Sequence, residues 1–162
     1  KLLHFDTGFL ATALLCRILF QNHEEDLAYE LLTTHELGSF PYMMDRGATT
    51  LWEDWKGTMS HDHPMFGACA VCCIKDILGI RQTTSSVAYQ ELVIAPRVPK
   101  KLKSTEGFFM ADCGKISVQW NQTDTEIDFR IELPDAVSCD FICHDTVKKL
   151  HGGLNFITVK TE

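Results

Sequence analysis

The chain has 162 residues, 45% hydrophobic and 23% charged, with 22 acidic against 15 basic side chains and a formal net charge of −7. This composition suits one globular domain or two small ones and excludes wholesale disorder. The acidic balance argues against a nucleic-acid partner and against an anionic membrane surface, since either needs a basic face, and it is compatible with a neutral ligand.

The first half reads as helical. Asp6 or Thr7 is placed to cap a helix over Gly8 to Phe20, whose apolar residues nearly encircle it and so call for neighbours on most sides. A second helix is expected over about Glu24 to Thr33, with Leu27/Leu31 and Ala28/Leu32 on one stripe. Leu37 to Gly57 reads as a long loop or short strand, punctuated by Gly38, Pro41, Gly47 and Gly57. A third helix starts near His63 or Pro64, because proline fits a first helical turn, and stops at Leu78 before Gly79.

The second half changes period. Val87 to Ile94 is a β-rich run, followed by Phe108-Phe109-Met110, Ile116-Val118-Trp120 and Ile127-Phe129-Ile131-Leu133. The last two alternate apolar and polar residues, as half-buried strands do. Asp112-Cys113-Gly114 and Gln122-Thr123-Asp124 are turn candidates, and Gly152-Gly153 precedes a closing strand over Leu154 to Val159. The expected second part is therefore an antiparallel sheet or sandwich, with the boundary near Arg81 to Ser85. No apolar run approaches the roughly 20 residues that a membrane span needs. The seven cysteines, Cys16, Cys69, Cys72, Cys73, Cys113, Cys139 and Cys143, form an odd set without a regular framework. That points to free thiols in a reducing compartment, and so to a cytoplasmic location.

The residues that carry chemistry lie between the helices. In Arg46-Gly47-Ala48-Thr49-Thr50-Leu51-Trp52-Glu53-Asp54-Trp55, two tryptophans bracket two carboxylates. An indole face packs on the apolar face of a pyranose, and a carboxylate moves protons at a glycosidic bond. By residue type alone, Glu53 is more often a surface residue or loop anchor, Trp52 and Trp55 more often core residues, and His63 more often a structural residue at a helix start. Asp45-Arg46 reads as an ion pair that orders the loop, and His61 and Asp62 as solvated loop residues. His61-Asp62-His63, Cys69-x-x-Cys72-Cys73 and Cys139-x-x-x-Cys143-His144 each hold metal-ligand types, but each lacks the further ligands that a closed tetrahedral site needs. No metal is assigned.

Four blocks together resemble the end of the catalytic region of the α-L-rhamnosidases of glycoside hydrolase family 78. They are Asp6-Thr7-Gly8-Phe9-Leu10; Leu27-Ala28-Tyr29-Glu30-Leu31-Leu32 with Tyr42 to Glu53; His63-Pro64-Met65-Phe66-Gly67 with Leu78-Gly79-Ile80; and Gly107-Phe108-Phe109 with Gly114 to Trp120. The resemblance implies an α+β chain in two parts. Residues 1–82 would be the C-terminal portion of an (α/α)6 catalytic barrel, and residues 83–162 a C-terminal antiparallel β-sandwich. It also implies that Glu53 is the general base of an inverting hydrolysis that releases terminal rhamnose, with a partner acid roughly 6.5–9.5 Å away. Trp52 and His63 would then bind the sugar. The sequence departs from the family pattern at Asp62, where the family has asparagine, in a short Glu53–His63 loop, and at Cys72-Cys73, where it has a tryptophan.

The family's acidic motif is absent upstream of Glu53, and the chain opens at Lys1 without an initiator methionine. The expected partner is therefore the rest of a parent chain, together with a rhamnose-containing glycoside. The fragment is expected to be inactive alone and to cover its barrel-facing apolar surface by rearrangement or by forming a homodimer. No cofactor is implied. Two rival readings remain at this point: a non-catalytic carbohydrate-binding module presenting Phe108, Phe109 and Trp120, and an interaction domain docking through an apolar helix face.

Overall fold

The computed structural model describes residues 3–161, which divide into two compact units, Lys1–Cys72 and Cys73–Glu162. The mixed helix-and-sheet architecture agrees with the expected two-part fold.

The first unit is helical. Helix α1 spans Phe9–Gln21, α2 Glu25–Thr33 and α3 Phe40–Asp45. Gly8, not Asp6 or Thr7, occupies the N-cap position of α1, and no side chain caps it. The Thr7 hydroxyl instead meets the Thr12 hydroxyl at 2.7 Å. Thr12, Cys16 and Phe20, one turn apart, are fully buried on one face of α1. The opposite face carries Leu10, Leu14 and Ile18, which are 70%, 58% and 44% exposed. So α1 is apolar all round, as the sequence implied, yet within its unit it buries only one side. Of the α2 stripe, Ala28 and Leu31 are buried.

Helix α3 lies inside the segment expected to be a loop. Ser39 supplies its cap, accepting a hydrogen bond from the Tyr42 amide at 3.2 Å, and Pro41 sits in its first turn. These two signals define a helix start. The run after His63 is irregular where a regular helix was expected: a 3-10 turn over Pro64–Cys69, an α turn over Ala70–Cys72 and a π turn over Cys73–Ile77. The first two belong to this unit. Met43, Trp52 and Phe66 form the core around which Phe9, Phe40, Leu51 and Trp55 pack.

The second unit is a sandwich of two four-stranded sheets. Strands β1 (Ile80–Gln82), β2 (Glu91–Ile94), β6 (Ser138–Cys143) and β7 (Thr146–Leu150) form one, in the order β1-β2-β6-β7. Strands β3 (Ser104–Ala111), β4 (Gly114–Gln122), β5 (Glu126–Leu133) and β8 (Gly153–Lys160) form the other, in the order β3-β4-β5-β8. Among the described residues every pairing is antiparallel except β2 with β6, which run parallel from Glu91↔Ser138 to Ile94↔Phe141. Alternation places every second residue of β5 inside, and the inner faces meet where Phe129 packs on Phe141 with ring centroids 5.0 Å apart.

Trp120 is fully buried and donates its indole N–H to the Ile77 carbonyl at 3.1 Å. It is a core residue, and cannot serve as the surface platform that a sugar-binding module would need. Phe109 packs on Tyr89, and of the three aromatics only Phe108 is more than half exposed, at 53%. No helix among the described residues is long and apolar enough to cross a membrane.

Candidate active site

The segment after α3 turns at Gly47, whose φ of +82° is left-handed backbone that glycine adopts without strain. It then enters a loop that closes on itself. The His63 amide donates to the Leu51 carbonyl and the Glu53 amide to the Ser60 carbonyl, both at 2.8 Å. The Thr50 hydroxyl donates to the His61 carbonyl. These bonds tie the incoming and outgoing arms together, so residues up to twelve positions apart in the chain, such as Leu51 and His63, become neighbours.

The tip of the loop is organised by one carboxylate. Asp54 Oδ1 accepts from the amides of Thr58 and Met59, both at 2.9 Å, and Oδ2 accepts from the Lys56 amide at 3.2 Å and the Thr58 hydroxyl at 3.0 Å. Burial pushes the Asp54 carboxyl up, but the hydrogen bonds from Met59, Thr58 and Lys56 outweigh it and hold the group below its ordinary value. Gly57, at φ +69°, completes the turn, and a Cβ there would lie 2.6 Å from the Trp52 ring.

The two tryptophans divide their roles. Trp55 belongs to an aromatic cluster: its ring lies 4.1 Å from Phe66 and 5.4 Å from Phe40, and is stacked on Phe5 at 5.8 Å. Its N–H donates to the Thr7 carbonyl at 2.7 Å, tying the loop to the entrance of α1. Trp52 is 6% exposed, and the His61 imidazole stacks on it at 4.5 Å with the planes 17° apart. His61 Nε2 also lies 2.9 Å from the Gly57 carbonyl. His61 is an exposed loop residue, as the sequence reading had it, and its ring also stacks on Trp52 within the loop. Nothing in residue spacing signals that stack.

Glu53 is half-buried, with Oε2 accepting from the Ser60 amide at 3.4 Å. His63 precedes the 3-10 turn without capping it through its side chain, and its ring lies 4.7 Å from that of Phe9. Its Nδ1 is buried and has no hydrogen-bond partner within the chain. Beside these residues in the chain, Phe40, Met43, Met44, Ala48, Thr49, Thr50 and Leu51 line an open cleft of about 240 Å³. The structure thus brings Trp52, Glu53 and His63 onto one loop. Asp45 pairs with His35 at 2.6 Å and Arg46 lies over the Tyr42 ring at 3.4 Å, so the expected Asp45–Arg46 ion pair is replaced by separate partners.

The residue types that suggested metal sites are dispersed. His61 faces Trp52 while His63 faces Phe9. Cys69 hydrogen-bonds to Cys16, and this contact with burial holds the Cys16 thiol above its ordinary value. Cys139 and Cys143 are buried in the sandwich, whereas His144 is exposed with Nδ1 3.1 Å from the Lys160 carbonyl. Among the described residues no group of three or more His, Cys, Asp and Glu side chains is arranged to hold a metal ion.

Residues 1–77 match the family model described as the bacterial alpha-L-rhamnosidase 6 hairpin glycosidase domain, and residues 79–153 match the bacterial alpha-L-rhamnosidase C-terminal domain. The chain is 31% identical over 150 residues to an alpha-L-rhamnosidase of Alteromonas sp. (strain LOR), covering 86% of this chain and 16% of that protein. It is 30% identical over 130 residues to one of Streptomyces avermitilis, covering 74% of this chain and 12% of that protein. The chain therefore spans less than a fifth of the length of these relatives. The fold is that of the alpha-L-rhamnosidase from Dictyoglumus thermophilum, with a TM-score of 0.85 over 98% of this chain and 21% of that one at 22% identity. It is likewise that of the Streptomyces avermitilis alpha-L-rhamnosidase complexed with L-rhamnose, with a TM-score of 0.86 over 97% of this chain and 18% of that one at 24% identity.

Proposed function

The chain belongs to the bacterial α-L-rhamnosidase family, and from that premise we propose that the longer protein containing it hydrolyses glycosides ending in α-L-rhamnose, with inversion at the anomeric carbon. The observation that carries this reading is the closed loop holding Glu53: a half-buried carboxylate with one backbone donor. In an inverting hydrolysis, one carboxylate activates water on the face opposite the leaving group while a protonated carboxyl on the other side donates to the departing oxygen. Glu53 takes the first role. His63, on the same loop and half-buried, takes the sugar subsite beside it. Trp52 acts chiefly as the wall behind the site, since only 6% of its surface is open.

The general acid belongs to a segment outside this chain, so residues 1–82 supply part of a barrel and residues 83–162 a sandwich. The isolated chain is therefore inactive. The exposed Leu10/Leu14/Ile18 face of α1 is covered by the rest of the parent chain, and in the isolated fragment by a second copy. No cofactor is needed, and the thiol-rich composition suits a cytoplasmic location.

The test is hydrolysis of 4-nitrophenyl α-L-rhamnoside by the longer protein and its Glu53→Gln variant. Turnover that falls by about three orders of magnitude or more in the variant, with melting unchanged, supports both the activity and the base. Turnover of other aryl glycosides alone rejects rhamnose as the substrate. A fully active variant rejects Glu53.

A further inference from the structure

We infer that Asp54 is a positioning residue for Glu53: its carboxylate fixes the turn whose far end, Ser60, holds the Glu53 side chain and backbone. This rests on Glu53 being the base. Trp55 anchors the near arm of this turn through the Thr7 carbonyl and its aromatic neighbours, and the His61 ring reaches the Gly57 carbonyl, but Thr58 and Met59 on the far arm lack any such packing. Thr58, Met59 and Ser60 are exposed, Met59 at 59%, so burial of apolar surface does not order them. Inside the Glu53–Ser60 closure the backbone bonds to itself at one further place, from the Gly57 amide to the Asp54 carbonyl at 3.2 Å. The Asp54 side chain, in contrast, collects three backbone amides and one hydroxyl at 2.9 to 3.2 Å.

Those amides belong to the residues that deliver Ser60. Met59, held at 2.9 Å, is its immediate neighbour. Ser60 in turn makes both contacts to Glu53: its carbonyl accepts from the Glu53 amide at 2.8 Å, and its amide donates to Glu53 Oε2 at 3.4 Å. The same turn places Gly57 to accept from the His61 ring that covers Trp52. Adjacent in sequence, Glu53 and Asp54 thus face opposite tasks: one carboxylate is left largely open, and the other is saturated with donors so that the first stays in place. A carboxylate saturated with backbone donors is a poor proton acceptor, which separates the two roles chemically.

The experiment compares Asp54→Ala, Asp54→Asn, Asp54→Glu and Glu53→Gln in the longer protein, with an aryl α-L-rhamnoside and a melting curve for each. Asp54→Ala is expected to lower kcat by about 10- to 100-fold with KM within about threefold, because a base displaced by a fraction of an ångström still leaves the sugar subsite intact. Asp54→Asn keeps an oxygen for the Thr58 and Met59 amides and is expected to recover kcat to within about threefold of the parent. Asp54→Glu, at a half-buried position, retains the charge but is one methylene too long for the same set of donors, and is expected to lose about tenfold in kcat.

Full kcat in both Asp54→Ala and Asp54→Glu, with Glu53→Gln inert, overturns the positioning role and leaves the base assignment standing. If Asp54→Ala does not fold, Asp54→Glu alone decides by the same criterion. Full activity in Glu53→Gln removes the base, and the role of Asp54 with it.

Discussion

In the sandwich, Trp120 has no exposed surface and stands in register with buried Phe129, on a strand that also buries Ile116 and Val118; in the loop from Leu51 to His63, the residues at the tip are exposed and Asp54 orders them through directed hydrogen bonds. Hydrophobic burial is non-directional and sums over many contacts, so it tolerates small displacements of any one of them. A hydrogen bond fails within a few tenths of an ångström and falls off steeply with angle. The sandwich is therefore built to stay folded, and the loop to fix a few atoms in place. Substitutions in the first should cost stability, and substitutions in the second should cost geometry.

The largest expected effect breaks the sandwich. Trp120→Ala removes the biggest fully buried side chain and leaves the Ile77 carbonyl without its indole donor; it should cost about 3–5 kcal/mol in a denaturation experiment. A loss below about 1 kcal/mol would mean that the sandwich repacks, and the contrast with the loop would fail. Gly57→Ala tests the other side. The backbone there is left-handed and the new methyl would press on Trp52, so a local cost of about 1–3 kcal/mol is expected. It should appear as faster amide exchange at Ser60 and His63, with exchange in the β5 core unchanged.

A subtler contrast separates thiols. Burial pushes the Cys139 thiol up to about 12, whereas Cys73 is exposed. With iodoacetamide near pH 8, Cys73 should be alkylated while Cys139 stays unmodified until the sandwich unfolds, as read by mass spectrometry of the digested chain. Equal labelling rates would show an open sheet.

The smallest effect is set by pH. Asp54 is held below its ordinary value, so its contribution to loop order is present above the unfolded-state value and is lost as pH falls through the depressed folded one. The Thr58 and Met59 amide resonances should shift together only below the usual aspartate range. Movement near the ordinary value would show that the turn is not held as described.

Legibility in the sequence followed the same divide. Period-two alternation exposed β4 and β5, and turn residues marked both ends of β4. β7 does not show as a strand in the sequence, because it buries only Leu150 of its five residues and no period appears; β6 alternates in the structure, but its buried positions are Cys139, Phe141 and Cys143, and cysteine is a weak apolar signal. α3 was missed because glycine and proline punctuation outweighed the Ser39-Phe40-Pro41 cap signal. The parallel pairing of β2 with β6 is a matter of topology between segments distant in sequence, which local pattern does not encode. In the site, Trp52, Glu53 and His63 could be named because they sit close together in the chain and resemble a family motif. The Asp54 clasp and the His61–Trp52 stack depend on how the loop folds back, and only Gly57 hinted at a turn there.

The topology also orders events in time. β3, β4 and β5 are successive hairpins whose turns are short, so each can zip up from local encounters. β2 must wait for β6, a partner delivered only after that meander has been made, and the closing of so long an intervening segment carries an entropic cost. During synthesis, β1 and β2 are the first strands to emerge and pair with each other early, yet β2 gains its second neighbour among the last. Pulse-labelled hydrogen exchange during refolding should protect Val118 and Ile131 before the amides that join β2 to β6.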